Sequence, residues 1–241
     1  MIIIPTYQDY INAVKSNVSQ RIFKLEFLDS NENVLNSITP DLISGDIKIN
    51  DGSGSRRSCD LTLDNSAYKY IPQEDGDFWI NSKYRIWTGY KVNGEDYYFS
   101  RGIYICSEPT VNSDMGEFTT DLMLYDKWAM LNGTLGGTLE SDYIIPVDSN
   151  IEDVVREIFL NAGEIKTPII QPTDEITPYT ITKEAGSTYA DMLIEIADML
   201  SWEVFYDEDG YPRFQEPTDI DKIGSVWDFT KDEVNYLTSS H

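Results

Sequence analysis

Histidine is almost missing from these 241 residues: the single one is His241, the last. Imidazole is the side chain that titrates near neutral pH and serves most catalytic triads and many metal sites. A histidine-based triad, an imidazole general base and a His-ligated metal within the fold are therefore excluded. Cysteine is nearly as scarce. Cys59 sits in an alternating strand pattern and Cys106 in an apolar run, without C-x-x-C spacing, so buried free thiols are expected rather than a bridge or a metal site. A reducing compartment suits them. No apolar run approaches the ~20 residues of a membrane span. The opening Met1 to Ile4 has no basic leader and meets Pro5 at once, which reads as no signal peptide. Basic residues are outnumbered, with 18 Lys and Arg against 42 Asp and Glu, for a formal net charge of -24 at pH 7. Such a chain repels phosphate backbones and anionic membrane surfaces. At the least, its acidic surface favours solubility.

What is present is ample material for a core. Hydrophobic residues make up 41% and aromatics 12%, with 16 tyrosines, too rich in core and interface formers for a disordered chain. The length allows one large domain or two of roughly 100–150 residues. After Pro5, with Thr6 as N-cap, the spacing of Tyr7, Tyr10, Ile11 and Val14 predicts a short amphipathic helix. The period then changes to two. Phe23, Leu25 and Phe27 alternate with Lys24 and Glu26, and Asp29 to Asn33 turns the chain into Val34 to Ile38, a hairpin. Ile43, Ile47 and Ile49 lead through the loop Asn50 to Ser55 to the alternating Cys59, Leu61 and Leu63. Asn93-Gly94, a strong hairpin signal, separates Tyr84 to Lys91 from Tyr97 to Ile105, and another strand runs through Phe118 to Leu124. Many strands at short spacing imply an antiparallel barrel or sandwich.

From Val147 the character changes. Ser149 and Glu152 read as the capping box of a helix with Ile151, Val154, Val155, Ile158 and Phe159 on one face and Gly163 as its stop. A strand-like stretch, Thr177 to Thr182, precedes a second helix opened by Ser187. Trp202 to Tyr206 and Tyr211 to Phe214 then form a hairpin around Asp207-Glu208-Asp209-Gly210. The expected fold class is α+β and β-rich: two antiparallel β-barrel or sandwich-like domains with a few short amphipathic helices. The Gly-rich Asn132 to Thr138 divides residues 1–135 from an α+β second domain, 136–241, which reads as incomplete at its C-terminus.

Few residues carry candidate chemistry. Among 42 carboxylates chance pairs are expected, and none stands out by spacing as a glycosidase pair. Asp207 to Gly210 resembles a calcium-loop fragment, but Phe205 stands where a ligand is needed, so a turn is the reading. Gly52, Gly54, Arg56 and Arg57 lack the Lys-Ser/Thr of a phosphate loop and any following helix; a flexible loop whose arginines meet acidic neighbours accounts for them. The cluster Phe78, Trp79, Tyr84, Trp87, Tyr90, Tyr97 and Tyr98 is either core and interface packing or a sugar-binding platform. No catalytic, cofactor-binding or metal-binding residue is assigned, and no cofactor is expected.

The order of elements has a counterpart. "ISGDIKINDGSGSRRSCDLTLDN" (Ile43 to Asn65) and "YRIWTGYKVNGEDYYFSRGIYICSEP" resemble the opening barrel of bacteriophage tail hub, or baseplate hub, proteins. "SNIEDVVREIFLNAG" followed by "TKEAGSTYADMLIEIADMLSWEVFYDEDGYPRF" is similar to their helix, extended link, helix and hairpin. The resemblance covers about residues 20 to 215. It implies a non-enzymatic structural protein of the virion tail tip, assembled in the bacterial host cytoplasm. It also implies a homotrimeric pseudo-sixfold ring joining a tail tube or distal tail protein to the tip. The tape measure protein and tip or receptor-binding proteins are further implied partners, and DNA passes through the ring without specific binding. An acidic channel wall would suit that passage. Two other functions stay open: a carbohydrate-binding or adhesin module, and a cell-wall hydrolase.

Overall fold

The computed structural model describes residues 20–74, 76–92, 95–114 and 116–219, together with Ile11. The helix expected over Tyr7 to Val14 lies outside the described residues except at Ile11, which is helical, and His241 lies outside them too. Seven strands follow: β1 (Gln20–Leu28), β2 (Val34–Ile38), β3 (Leu42–Ile49), β4 (Arg57–Asp64), β5 (Lys83–Val92), β6 (Glu95–Asp114) and β7 (Glu117–Asp126). They form one sheet in the order β2-β1-β5-β6-β7-β4-β3. Its pairings are all antiparallel, including the expected β1–β2 and β5–β6 hairpins, and the expected strand, loop and strand of β3 and β4 also pair. Alternation puts Leu25, Phe27, Cys59, Leu61, Leu63, Tyr84, Ile86, Tyr104, Leu122 and Leu124 on one face, all buried in a single cluster.

Counting antiparallel steps across the sheet leaves β2 and β3 running in the same direction, joined only by Thr39, Pro40 and Asp41. They are one long strand bent at Pro40. Proline has no N–H to give a ladder, and here the strand leaves β1 and joins β4. The Asp64 N–H donates to Asp41 O at 2.7 Å and the Asp41 N–H to the Tyr70 hydroxyl at 3.3 Å, which fixes the bend. The bent strand brings the two ends of the sheet together at this corner, in the manner of a barrel.

A 3-10 helix, Lys127–Met130, leads out of β7. Then come β8 (Tyr143–Ile145), α1 (Ile151–Asn161), β9 (Ile169–Ile170), β10 (Ile181–Lys183), α2 (Tyr189–Leu200), β11 (Glu203–Tyr206) and β12 (Pro212–Gln215). β8 pairs with β10, while β11 and β12 form the expected hairpin, with β9 added in parallel on the far side of β12. The apolar stripes of both helices meet Trp128, Leu131, Ile145, Val204, Tyr206 and Phe214 in a second core. The chain is thus α+β and β-rich, as its periodicities imply.

Both helix starts differ from expectation by one residue. Asn150, not Ser149, caps α1: its side chain accepts from the Asp153 N–H, while Ser149 Oγ donates to Pro146 O and Glu152 accepts from the Thr173 N–H. Thr188, not Ser187, caps α2, in a reciprocal box with Asp191. The stop at Gly163 is as expected, with φ of 81° and the Glu164 N–H returning to Phe159 O. Of the strand-like Thr177 to Thr182, only Ile181 and Thr182 enter a strand. Thr177 is buried and its hydroxyl donates to Pro146 O, which takes that stretch out of a regular ladder.

Candidate functional site

Two polar constructions join the sheet to the segment that follows it. The loop after β3 is the first. Its glycines adopt positive φ, and Gly54 pairs with Phe205, its N–H donating to Val204 O at 2.8 Å. Arg56 is thereby laid over the Phe205 ring, 3.2 Å from its centroid, with Nη2 2.8 Å from Glu203 and Nε donating to Gly52 O. Arg57 donates to Tyr206 O at 2.6 Å and lies 3.8 Å from Glu208. The paired arginines do meet acidic neighbours, but the loop is anchored rather than flexible, because its partners come from β11 and the following turn. Asp126 completes the clamp by accepting from the N–H groups of Arg56, Arg57 and Trp128 and from the Ser55 hydroxyl. Burial still raises its pKa against these donors.

The second construction is a buried ion network. Glu32, in the β1–β2 turn, has a side chain only 1% exposed, with Lys127 and Lys166 both at 2.6 Å and Lys83 at 3.5 Å. Lys127 also pairs with Glu164 at 2.8 Å, whose other oxygen accepts from the Tyr206 hydroxyl. Burial, reinforced by Glu164, pushes the Tyr206 phenol well above its ordinary pKa, so it stays a donor. The turn between β11 and β12 closes the junction. Asp207 accepts from the N–H groups of Asp209 and Tyr211 and from Arg213 Nε, which makes it the organiser of a turn rather than a calcium ligand. Gly210 then lies against the Ile103 side chain. Sequence reasoning found the arginines and the acidic turn but missed Glu32, Lys127, Glu164 and Lys166, which are scattered along the chain and have no spacing in common.

The outer face of β3, β4, β7 and β6 is different in kind. A shallow groove of about 440 Å³ is lined by Asp46, Asp60, Glu108, Asp121, Thr62 and Met123, among others. Asp46 and Asp60 stand directly opposite one another across the β3–β4 ladder. Like charges so placed are destabilising, and Lys48, 3.6 Å and 3.7 Å away, moderates them.

The remaining candidates are dispersed. Phe78 and Tyr84 are in the first core with Phe27. Trp87 and Tyr98 sandwich the Lys24 ammonium at 4.7 Å and 5.0 Å. Trp79, Tyr90 and Tyr97 are half-buried, so the seven aromatics do not make one exposed strip. Cys59 and Cys106 are free and buried. Both lie opposite Leu124, on either side of β7. That sets them two strand spacings apart, ~9.6 Å, beyond the ~7 Å a disulfide spans. Among the described residues, no group of three or more His, Cys, Asp or Glu is placed to hold a metal ion, and no helix is long and apolar enough to cross a membrane.

The fold is similar to that of solved tail proteins and of a VgrG complex. Among solved structures, the tail protein from Neisseria meningitidis MC58 superposes with a TM-score of 0.56 at 11% identity, over 80% of this chain and 51% of that one. The prophage MuSo2 43 kDa tail protein from Shewanella oneidensis gives 0.51 at 12% identity, over 81% and 54%. The lidded Francisella PdpA-VgrG complex gives 0.50 at 12% identity, over 90% and 32%. The chain thus spans about half the length of the two tail proteins. No family model and no curated protein sequence matches it. The likeness is one of fold, and it is the fold expected from the tail-hub resemblance.

Proposed function

We propose that this chain is a non-enzymatic structural subunit of a phage-type tail, acting as the hub of the tail tip in the virion. The observation that carries the reading is the shared fold with two tail proteins over four-fifths of the chain. The two separate cores support a reading of two hub domains, taken as 1–135 and 136–241, with Trp128 and Leu131 of the first packing into the core of the second. Three copies then supply six units to a ring between a tail tube or distal tail protein and the tip, in contact with the tape measure protein and receptor-binding parts. The acidic groove of Asp46, Asp60, Glu108 and Asp121 supports a channel-facing role for the outer face of β3, β4 and β7. A ladder that keeps opposed carboxylates against its own stability gains a wall from which DNA phosphates are repelled.

Native mass measurement with imaging of the isolated protein tests the reading. A ring-shaped trimer supports it. A monomer that binds glycans would overturn it in favour of an adhesin module. The charge assignment fails if the lumen of such a ring is lined by lysine and arginine.

A further inference from the structure

One cleft reverses the charge balance of the chain, in which 18 Lys and Arg face 42 Asp and Glu. It opens between β1 and β3 with a volume of about 860 Å³, and its charged lining residues are Arg21, Lys91, Arg101 and Asp96, three cations against one carboxylate. Asp96 lies 3.5 Å from Lys91. Among the described residues no carboxylate pairs with Arg21 or Arg101, and Arg101 Nε donates to the Thr88 hydroxyl at 2.6 Å. Both guanidiniums therefore line the cleft without a counter-charge. The β1–β5 register sets Arg21 opposite Tyr90 and Phe23 opposite Thr88, in the same inward rows as Leu25 opposite Ile86. The inner face of the sheet thus passes from an apolar core to a cationic mouth. Mouths of β-barrels are common binding positions, and the volume falls within the roughly 300–1,000 Å³ of ligand clefts.

We propose that this cleft binds an extended, carboxylate-rich peptide segment of another protein, which adds as a strand to β1 and directs its acidic side chains at Arg21 and Arg101. Two features select that occupant. The first is charge, since guanidiniums take carboxylates in bidentate geometry. The second is a strand edge: β2 pairs with β1 over Leu25–Leu28, and among the described residues no strand pairs with the outer edge of Gln20 to Lys24. Five residues of strand span about 17 Å, and an open edge gives an extended peptide main-chain hydrogen bonds along that length. A nucleic acid would meet the same cations, but it has no amides for the edge, and the rest of a chain of net charge -24 repels it. The tail-hub reading supplies a source for the segment, a neighbouring tail protein, while the chemistry of the cleft does not depend on that reading.

Fluorescence anisotropy on the full chain tests this with a labelled octapeptide of alternating Glu and Thr, its ends blocked, beside its counterpart of alternating Gln and Thr. The acidic peptide is expected to bind, to weaken as salt is raised, and to bind about tenfold or more tighter than the neutral one. Arg21→Gln and Arg101→Gln should each weaken it about tenfold, the loss of a hydrogen bond to a charged group. Arg21 is exposed, so its variant should keep the native urea midpoint, and Arg156→Gln on α1 should bind as the native chain does. Hydrogen exchange should slow over residues 20–24 in the complex. The proposal is overturned if the two peptides bind alike, if both cleft variants bind as the native chain does, or if exchange over 20–24 is unchanged. It is equally overturned if a single-stranded oligonucleotide displaces the peptide, or if Arg21→Gln lowers the oligomeric state of the chain alone, which would assign the cleft to a second copy.

Discussion

Glu32 sits at φ 62° in the turn between β1 and β2 and carries its charge into the junction of the two cores. Burial alone would raise its pKa. Lys127 and Lys166 outweigh that and hold the carboxyl below its ordinary 4.5. A depressed carboxyl pKa stabilises the fold at every pH above the ordinary value, and the contribution is lost as pH falls through the folded value. Glu32→Gln removes the anion and leaves Lys166 without its ionic partner at 2.6 Å. Breaking a buried pair on one side costs about 3–5 kcal/mol. Urea unfolding at pH 7 should show that loss, and the gap between variant and native chain should close as pH falls below the ordinary 4.5 and through the lower folded value, where the native carboxyl protonates. A gap unchanged in acid would mean that packing, not charge, is what the variant lost. The cysteines behave in the opposite sense. Burial, with Asp60 and Asp46 adding to it, pushes the Cys59 thiol up to about 12, and burial pushes Cys106 up to about 11. Neither is a thiolate at neutral pH, so neither should react with a disulfide reagent at pH 8 until denaturant is added, when both should.

At the scale of elements, strands were legible where alternation was strict and one face was buried: Leu25 and Phe27, Cys59 to Leu63, and Tyr84 and Ile86 all point into one core. The helix stripes were equally clear, because Ile151, Val154, Val155, Ile158 and Phe159 bury together. Caps slipped by one residue because Ser149 and Asn150, or Ser187 and Thr188, are adjacent side chains of similar capping power, and the choice depends on tertiary partners such as Thr177. β8, β9 and the 3-10 helix are too short to carry a period. The bend at Pro40 and the ion network are properties of long-range pairing, to which local pattern is blind. Gly210 illustrates the same limit. In sequence it is the end of an acidic turn, whereas in the fold it has φ 76° and an added Cβ would stand 2.8 Å from the Ile103 side chain. Gly210→Ala should therefore cost about 1–3 kcal/mol through overpacking and backbone strain. Exchange protection should fall first in β11 and β12 and least in β4 and β7, away from the contact.

For the whole molecule the deciding quantity is net charge. Copies that each carry -24 repel one another at any approach, and the repulsion reaches about 30 Å at 0.01 M salt but only about 8 Å at 0.15 M. Surfaces able to overcome it are neutral and apolar. β2 and β3 offer Val34, Leu35, Ile43 and Ile49 exposed on the two ends of the sheet, with exposures of 49%, 66%, 58% and 55%. Residues of this kind associate through burial that salt does not weaken, whereas contacts between opposite charges are screened. If the proposed ring forms through such edges, raising salt removes the opposing term and leaves the favourable one intact. Sedimentation equilibrium at 0.01 M and 0.15 M salt should then show the trimer fraction rising with salt at constant protein concentration. Leu35→Asp and Ile43→Asp should each shift the equilibrium back towards monomer without altering the urea midpoint of the isolated chain, because these side chains are exposed in it. An assembly that instead dissociates as salt is added would place ion pairs, and hence the few lysines and arginines, at the contact between copies.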